Sequence, residues 1–492
     1  MRLSDPPCRP GRLWLANARL FDGTGGPVRP GAGILVEDGV VRLVGQAGDG
    51  VPDGADVVDV AGRTVMPGLI DAHAHVFATP PEPAEGAEPL WPDVTAHFLA
   101  ARLRETLRMG FTTLRDVGSY GDAVVTARQA TRYGALRGPR LLTCGRIVSA
   151  TAPGGRFFDG MYREADGPDE VRKAVREQVR RGADFIKIMS TGARSVELED
   201  PRPAQVTGAE MAALVEEAHR LGYRVAAHAE GLAGTELSIR HGVDTVEHGM
   251  YLHRRPDLLD MMAAAGQILV PTLSCYYGVA GLSEDGSHAG SPAGSPAGSP
   301  AGPPAGSPAG WAPPLVELAE RNLVEAGRTL AAARAAGVPI ALGHDWQPFS
   351  DAAVEVVRMV RHGMSPAETL LAATATAARA LGLDDRLGTV EPGKLADLVV
   401  VDGDPLADPA VLRDRTRIWL VFQLGEPVAG QALESPLSRP SVAGQALETP
   451  LSRPATSANA RTAAVSRSAA HTSALSNGGS PRSGITVTPG WV

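Results

Sequence analysis

Two histidines stand two residues apart at the end of an apolar run, Met66-Pro67-Gly68-Leu69-Ile70-Asp71-Ala72-His73-Ala74-His75. Side chains alternate across an extended strand, so residues i and i+2 share a face. His73 and His75 can therefore bring two imidazoles to one point. Neutral imidazoles side by side suit a divalent cation such as zinc. Alone, the pair reads equally well as two exposed strand histidines.

Further candidate groups lie downstream. Lys187 sits inside Gly182-Ala183-Asp184-Phe185-Ile186-Lys187-Ile188-Met189. A buried ammonium is costly unless paired or neutralised. The chain has only three lysines, Lys173, Lys187 and Lys394, its basic charge being carried by arginine. A lysine within an apolar strand of such a chain is not incidental; the plain alternatives are an ion-paired or outward-pointing side chain. His228 ends Val225-Ala226-Ala227-His228, His248 ends Thr245-Val246-Glu247-His248, and Asp345 ends Ile340-Ala341-Leu342-Gly343-His344-Asp345. Single core histidines are common, so each carries weight only with the others. His97, His219, His241, His253 and His362 fall on helical or loop patterns and read as surface or packing residues.

These groups need strands to hold them. Eight candidates recur along the chain: 65–76, 112–117, 140–146, 184–189, 224–228, 244–248, 268–273 and 339–345. Amphipathic helical patterns at 169–181, 209–221 and 315–336 separate several of them. The alternation is that of parallel βα units, and eight repeats predict an α/β chain built as a (β/α)8 TIM-type barrel. Catalytic groups of such barrels sit at the C-terminal ends of strands, where His75, Lys187, His228, His248 and Asp345 all fall. Short strands with glycine-rich turns occupy 13–64, and a similar segment occupies 388–428.

On Pro67-Gly68-Leu69-Ile70-Asp71-Ala72-His73-Ala74-His75 the chain resembles the amidohydrolase superfamily of metal-dependent hydrolases, whose first barrel strand ends in such a pattern. The resemblance covers about Leu13 to Val428. It implies that the flanks 13–64 and 388–428 meet as one small β-sandwich around the barrel, 65–387. It also implies two divalent metal ions. One would be held by His73, His75, Asp345 and a CO2-derived carbamate on Lys187; the other by the carbamate, His228 and His248. Zinc suits the mixture of imidazole and carboxylate-type oxygen, and manganese, iron or cobalt remain open. The metals would provide hydroxide near neutral pH, and Asp345 would act as base and then acid. The family usually has threonine before this aspartate; here His344 stands there, as a supporting partner or as packing.

Gly110-Phe111-Thr112-Thr113-Leu114-Arg115-Asp116-Val117-Gly118 is similar to a motif of the branch holding imidazolonepropionase-like enzymes and dipeptidases of the Xaa-Pro and Xaa-Arg/Lys type. Imidazolonepropionase is mononuclear and lacks the strand-four carbamate, so Lys187 points to the dipeptidase side. Two positions depart from those peptidases. Arg156 stands in the loop after strand three, where it could grip a carboxylate. Glu230 stands two residues after the strand-five histidine, where it could prefer a cation. Each also reads as a solvated loop residue. The leading function is hydrolysis of amide C–N bonds, in dipeptides or N-acyl amino acids. A cyclic amidase, deaminase or lactonase is the second reading, and a metal-free scaffold the contrasting one.

Composition sets the bounds. With 492 residues and 43% hydrophobic content the chain can bury a large core beside a smaller domain. A net charge of −8 argues against a nucleic-acid surface. Three scattered cysteines, Cys8, Cys144 and Cys275, form no disulfide framework, and together with an N-terminus lacking an apolar segment they predict a cytoplasmic protein. No run spans a membrane. The expected partner is a small-molecule substrate; a homo-oligomer fits the resemblance, with no interface legible. A Gly-Ser-Pro-Ala repeat at 286–310, within an insertion at 283–310, reads as a flexible neutral loop. The segment 429–492, with an imperfect tandem copy, reads as a low-complexity tail.

Overall fold

A computed structural model describes residues 11–76, 94–193, 199–283, 313–346 and 349–434. All lie within one unit, Met1–Gly444; the second, Gln445–Val492, falls outside them. Most of the insertion at 283–310 and the tail from 435 are likewise outside.

Strands β1 (Arg12–Leu20), β2 (Arg29–Glu37), β3 (Val40–Gln46), β4 (Asp56–Asp59) and β5 (Thr64–Pro67) come first. Then follow β6 (Leu69–Ala74), β7 (Phe111–Asp116), β8 (Arg140–Thr143), β9 (Ile147–Ser149) and β10 (Tyr162–Glu164). Next are β11 (Ile186–Met189), β12 (Val225–Ala229), β13 (Thr245–His248) and β14 (Ile268–Val270). The chain returns through β15 (Leu398–Val401), β16 (Ile418–Gln423) and β17 (Glu426–Ala429).

The two flanks make one eight-stranded sheet, ordered β17-β16-β15-β5-β1-β2-β3 with β4 on β1. Its seam is antiparallel, with Val399 opposite Met66 and Val400 opposite Val65. The outer sheet thus reaches Pro67, beyond the expected boundary at 64, because Val65 and Met66 pair with the returning flank. Gly68 makes the passage into β6: a Cβ there would lie 2.1 Å from Thr112 Oγ1, so the backbones close only without a side chain. The flank also runs past Val428. The short helix Gln431–Glu434 buries Ala432 in the outer-sheet core, which is why an alanine-rich stretch begins folded.

The central strands form two parallel sheets, β10-β9-β11-β12-β13-β14 and β6-β7-β8. Seven of the eight expected strands recur as β6, β7, β8, β11, β12, β13 and β14, trimmed at their ends. The eighth, 339–345, has no regular ladder. Its backbone alternates partners instead: Ile340 bridges Leu269, Ala72 N donates to Leu342 O (2.9 Å), and Leu342 N turns to Ala372 O (2.9 Å). Between the sheets, Asp184 N donates to Thr143 O (2.8 Å). Strands β9 and β10 were not foreseen from sequence.

The helices follow their apolar stripes. Gly208–Arg220 opens on a Thr207/Glu210 capping box and buries Met211, Leu214, Val215 and Ala218. Pro168–Arg180 buries Val171, Ala174 and Val175. Both pack into the large core around β6–β14. Among the described residues, no helix is long and apolar enough to cross a membrane.

Candidate metal centre

Five of the six candidate ligands meet by direct distances. His73 Nε2 lies 3.6 Å and His75 Nε2 3.4 Å from Asp345 Oδ1. His248 Nε2 faces His228 Nδ1 at 2.9 Å, and His248 Nδ1 is 3.9 Å from Asp345 Oδ2. The His73 and His248 rings are 5.2 Å apart, joining the two pairs.

Each histidine is held by its other nitrogen. His73 Nδ1 pairs with Glu247 Oε2 (2.7 Å), His75 Nδ1 with Gly118 O (2.6 Å), His248 Nδ1 with Thr272 Oγ1 (2.7 Å), and His228 Nε2 approaches Gly192 O (3.3 Å). This arrangement can orient imidazoles for metal binding, because the outer partner fixes the tautomer and aims the other nitrogen. Glu247 is itself buried and anchored by Arg115 Nη2 (2.8 Å) and Thr245 Oγ1 (2.5 Å). Burial holds His73 well below the usual imidazole range and His75 down to about 4. Both are neutral, as ligation requires.

Lys187 lies on β11 opposite Ala226, 2% exposed, and its Nζ has no hydrogen-bond partner among the described residues. Burial lowers its pKa, against the opposing pull of Glu247 and Asp345. Desolvation therefore favours the neutral amine. A buried amine without a hydrogen-bond partner among the described residues, within electrostatic reach of His73, His75 and Asp345, joins the oriented imidazoles in a donor set that fits divalent metal. His73, His248 and Asp345 form one group whose ligand atoms lie within 4.8 Å of one another, and His228, Glu230 and His248 form another.

Three site residues pay for position in backbone strain: His248 (φ 68°), Thr272 (φ 48°) and Asp345 (φ 47°) are left-handed without being glycine. Such conformations cost about 1–3 kcal/mol each and gather at functional sites. At Gly343 a Cβ would lie 2.6 Å from His73 Cβ, so glycine lets the segment carrying Asp345 pass against β6.

The remaining candidates separate. Glu230 is buried, with Oε1 3.9 Å from His228 Nε2, and is no solvated loop residue. It borders a cavity of about 250 Å³. Arg156 is exposed on the short helix Pro153–Phe157 and is not among the residues lining that cavity, so its placement lends no support to a carboxylate grip. His344 is buried, donates its backbone N–H to Asp71 Oδ1 (3.1 Å), and is pushed down to about 3 by burial. Sequence reasoning missed Glu247, Thr272, Arg115 and Asp71 as supports. The signal was there for three of them: charged residues inside otherwise apolar strands.

A profile described as "Amidohydrolase family" matches residues 64–428. The chain belongs to the amidohydrolase family. As an amidohydrolase it is a hydrolase acting on carbon–nitrogen bonds. It is 29% identical to an ochratoxinase of Aspergillus niger over 450 residues, covering 84% of this chain and 86% of the relative. It is 28% identical to the imidazolonepropionase of Paracoccus denitrificans over 418 residues, 77% and 89% of the two chains. Its fold is similar to the crystal structure of a Xaa-Pro dipeptidase with methionine bound in the active site. That likeness has a TM-score of 0.71 and 28% identity, and covers 85% of this chain and all of the other.

Proposed function

We propose that this amidohydrolase cleaves the amide bond of dipeptides or closely related acyl amino acids at a centre of two divalent metal ions, with zinc the best match to its ligands. One observation carries the reading: four histidines each have one nitrogen tied to the protein, while the other faces Asp345 or a second histidine. His73, His75 and Asp345 would hold one ion, and His228 and His248 the other. Lys187 would bridge them: its neutral Nζ bonds to the carbon of CO2 and loses a proton, which turns an orphaned amine into a carbamate. The backbone bonds joining β8 to β11, and β14 through Ile340 and Leu342 to β6, support a closed (β/α)8 barrel as the frame. The outer sheet would be its companion β-sandwich.

Two metals held by these residues would supply hydroxide near neutral pH and polarise the scissile carbonyl. The protein's own groups do the rest. Asp345 accepts the proton of the attacking water on a carboxylate oxygen and returns it to the departing nitrogen. The Glu247–His73 and Thr272–His248 bonds keep the rings in place while charge moves. Glu230 faces the substrate. Few cysteines, with Cys144 and Cys275 buried and in no disulfide, favour a reducing, cytoplasmic setting, and the partner of such a site would be a small-molecule substrate.

The test is a panel of dipeptides, N-acyl amino acids, cyclic amides and lactones offered to metal-loaded protein. Turnover of open-chain amides, lost on chelation and restored by metal, is the expected result. Turnover confined to cyclic amides, lactones or amines would move the function to those substrates.

A further inference from the structure

Thr272 stands at the N-terminus of the helix Leu273–Val279. A threonine there ordinarily turns its hydroxyl onto the helix's own first amides. Here the hydroxyl makes no such bond and lies 2.7 Å from His248 Nδ1 instead. Thr272, Leu273 and Ser274 are fully buried, so the amides of this helix start need another acceptor. Glu355 supplies it from the helix Ala353–Arg361. Its Oε1 accepts Leu273 N (2.7 Å), and its Oε2 accepts Ser274 N (2.8 Å) and the Ser274 hydroxyl. Glu355 is fully buried as well.

The backbone of Thr272 shows what this cap does. At φ 48° and ψ 51° it is left-handed, a conformation that a β-branched residue avoids. Such a residue stays in place only where its surroundings over-determine it. Leu273 N belongs to the peptide group that follows Thr272, so its bond to Glu355 fixes the plane that ψ of Thr272 sets. Without that carboxylate, Ser274 N would compete with His248 for the Thr272 hydroxyl. We infer that Glu355 is a positioning residue of the metal centre: it caps the helix in place of Thr272, holds Thr272 left-handed, and leaves the hydroxyl to His248. The inference rests on the two-metal reading and extends it to a residue whose hydrogen bonds, among the described residues, reach none of the candidate ligands. The plain alternative is a carboxylate that stabilises the helix and leaves His248 unaffected.

The experiment is a cobalt(II) titration followed by visible absorption on the full-length wild type, Glu355→Gln, Thr272→Val and the double variant. Glutamine keeps the size and turns one acceptor into a donor facing an amide. Valine keeps the branched shape and removes the hydroxyl. Wild type should take up cobalt in two steps. In each single variant one step should weaken about 10- to 100-fold, with an altered spectrum for that ion, while the other step keeps its affinity. The double variant should be no weaker than Thr272→Val, because both substitutions act through one hydroxyl. Equal weakening of both steps, unaltered binding in Glu355→Gln, or losses that multiply in the double variant would overturn the inference. Glu355→Asp, which keeps both acceptors one methylene short, replaces Glu355→Gln in the same comparison if the latter does not fold. Crystal structures of the metal-free wild type and variant need no cobalt. There the Thr272 hydroxyl should leave His248 Nδ1 for Ser274 N. That shift in a chain whose wild type takes up fewer than two ions leaves the positioning role standing and counts against the two-metal centre. An unmoved Thr272 overturns the inference.

Discussion

At the scale of single residues, the site rests on groups whose charge state is set by burial. Asp345 lies beside His73 and His75, and the work proposed for it is proton transfer. Asp345→Asn is expected to lower kcat by about 100- to 10,000-fold while substrate affinity changes little; steady-state kinetics on protein of verified metal content checks this, and near-wild-type kcat would remove Asp345 from the chemistry. Glu247 works through His73. Glu247→Gln keeps the shape and loses the charge that orients the ring, so metal affinity should fall about 10- to 100-fold in a chelator competition titration. The ligand candidates were legible because each breaks an apolar strand with a polar side chain. Thr272 was not, because a threonine near a strand end carries no distinguishing pattern and its role depends on a left-handed backbone.

At the scale of elements, the strands were legible where period and composition agreed, as in β11, β12 and β13. The segment 339–345 looked like a strand, yet its backbone divides its bonds between Leu269, Ala72 and Ala372. No local pattern encodes partners so far away in sequence. The same holds for β9 and β10, three residues each, too short for alternation to register. The joint between outer sheet and central strands is a buried ion pair, Arg140 Nη1 to Asp397 Oδ2 at 2.5 Å, both side chains at most 3% exposed. Asp397 also accepts Leu424 N (2.9 Å). Removing one partner leaves a buried charge uncompensated, so Asp397→Ala should cost about 3–5 kcal/mol in denaturant unfolding. A loss below about 1 kcal/mol would mean the joint is held by apolar packing alone.

At the scale of the whole molecule, the proposed centre would link stability to metal loading, because its candidate ligands come from segments far apart in the chain and would meet only in the folded state. pH adds a second dependence. Burial raises Glu355 from its ordinary 4.5 to about 7, although Leu273 N, Ser274 N and Ser274 Oγ hydrogen-bond to it. Between these values the folded chain holds a proton that the unfolded chain has released, so this contribution is full below pH 4.5 and is lost as pH rises through 7. The loss is on the order of 3 kcal/mol. Glu355→Gln should flatten the decline in unfolding free energy between pH 5 and 7, and an unchanged slope would place its source elsewhere. The most direct measurement is metal content per chain, by elemental analysis of wild type and Lys187→Ala purified with bicarbonate and without chelator. About two ions in wild type, falling sharply in the variant, is the predicted result. A single ion unaffected by the substitution, or none in either protein, would contradict a centre bridged through Lys187.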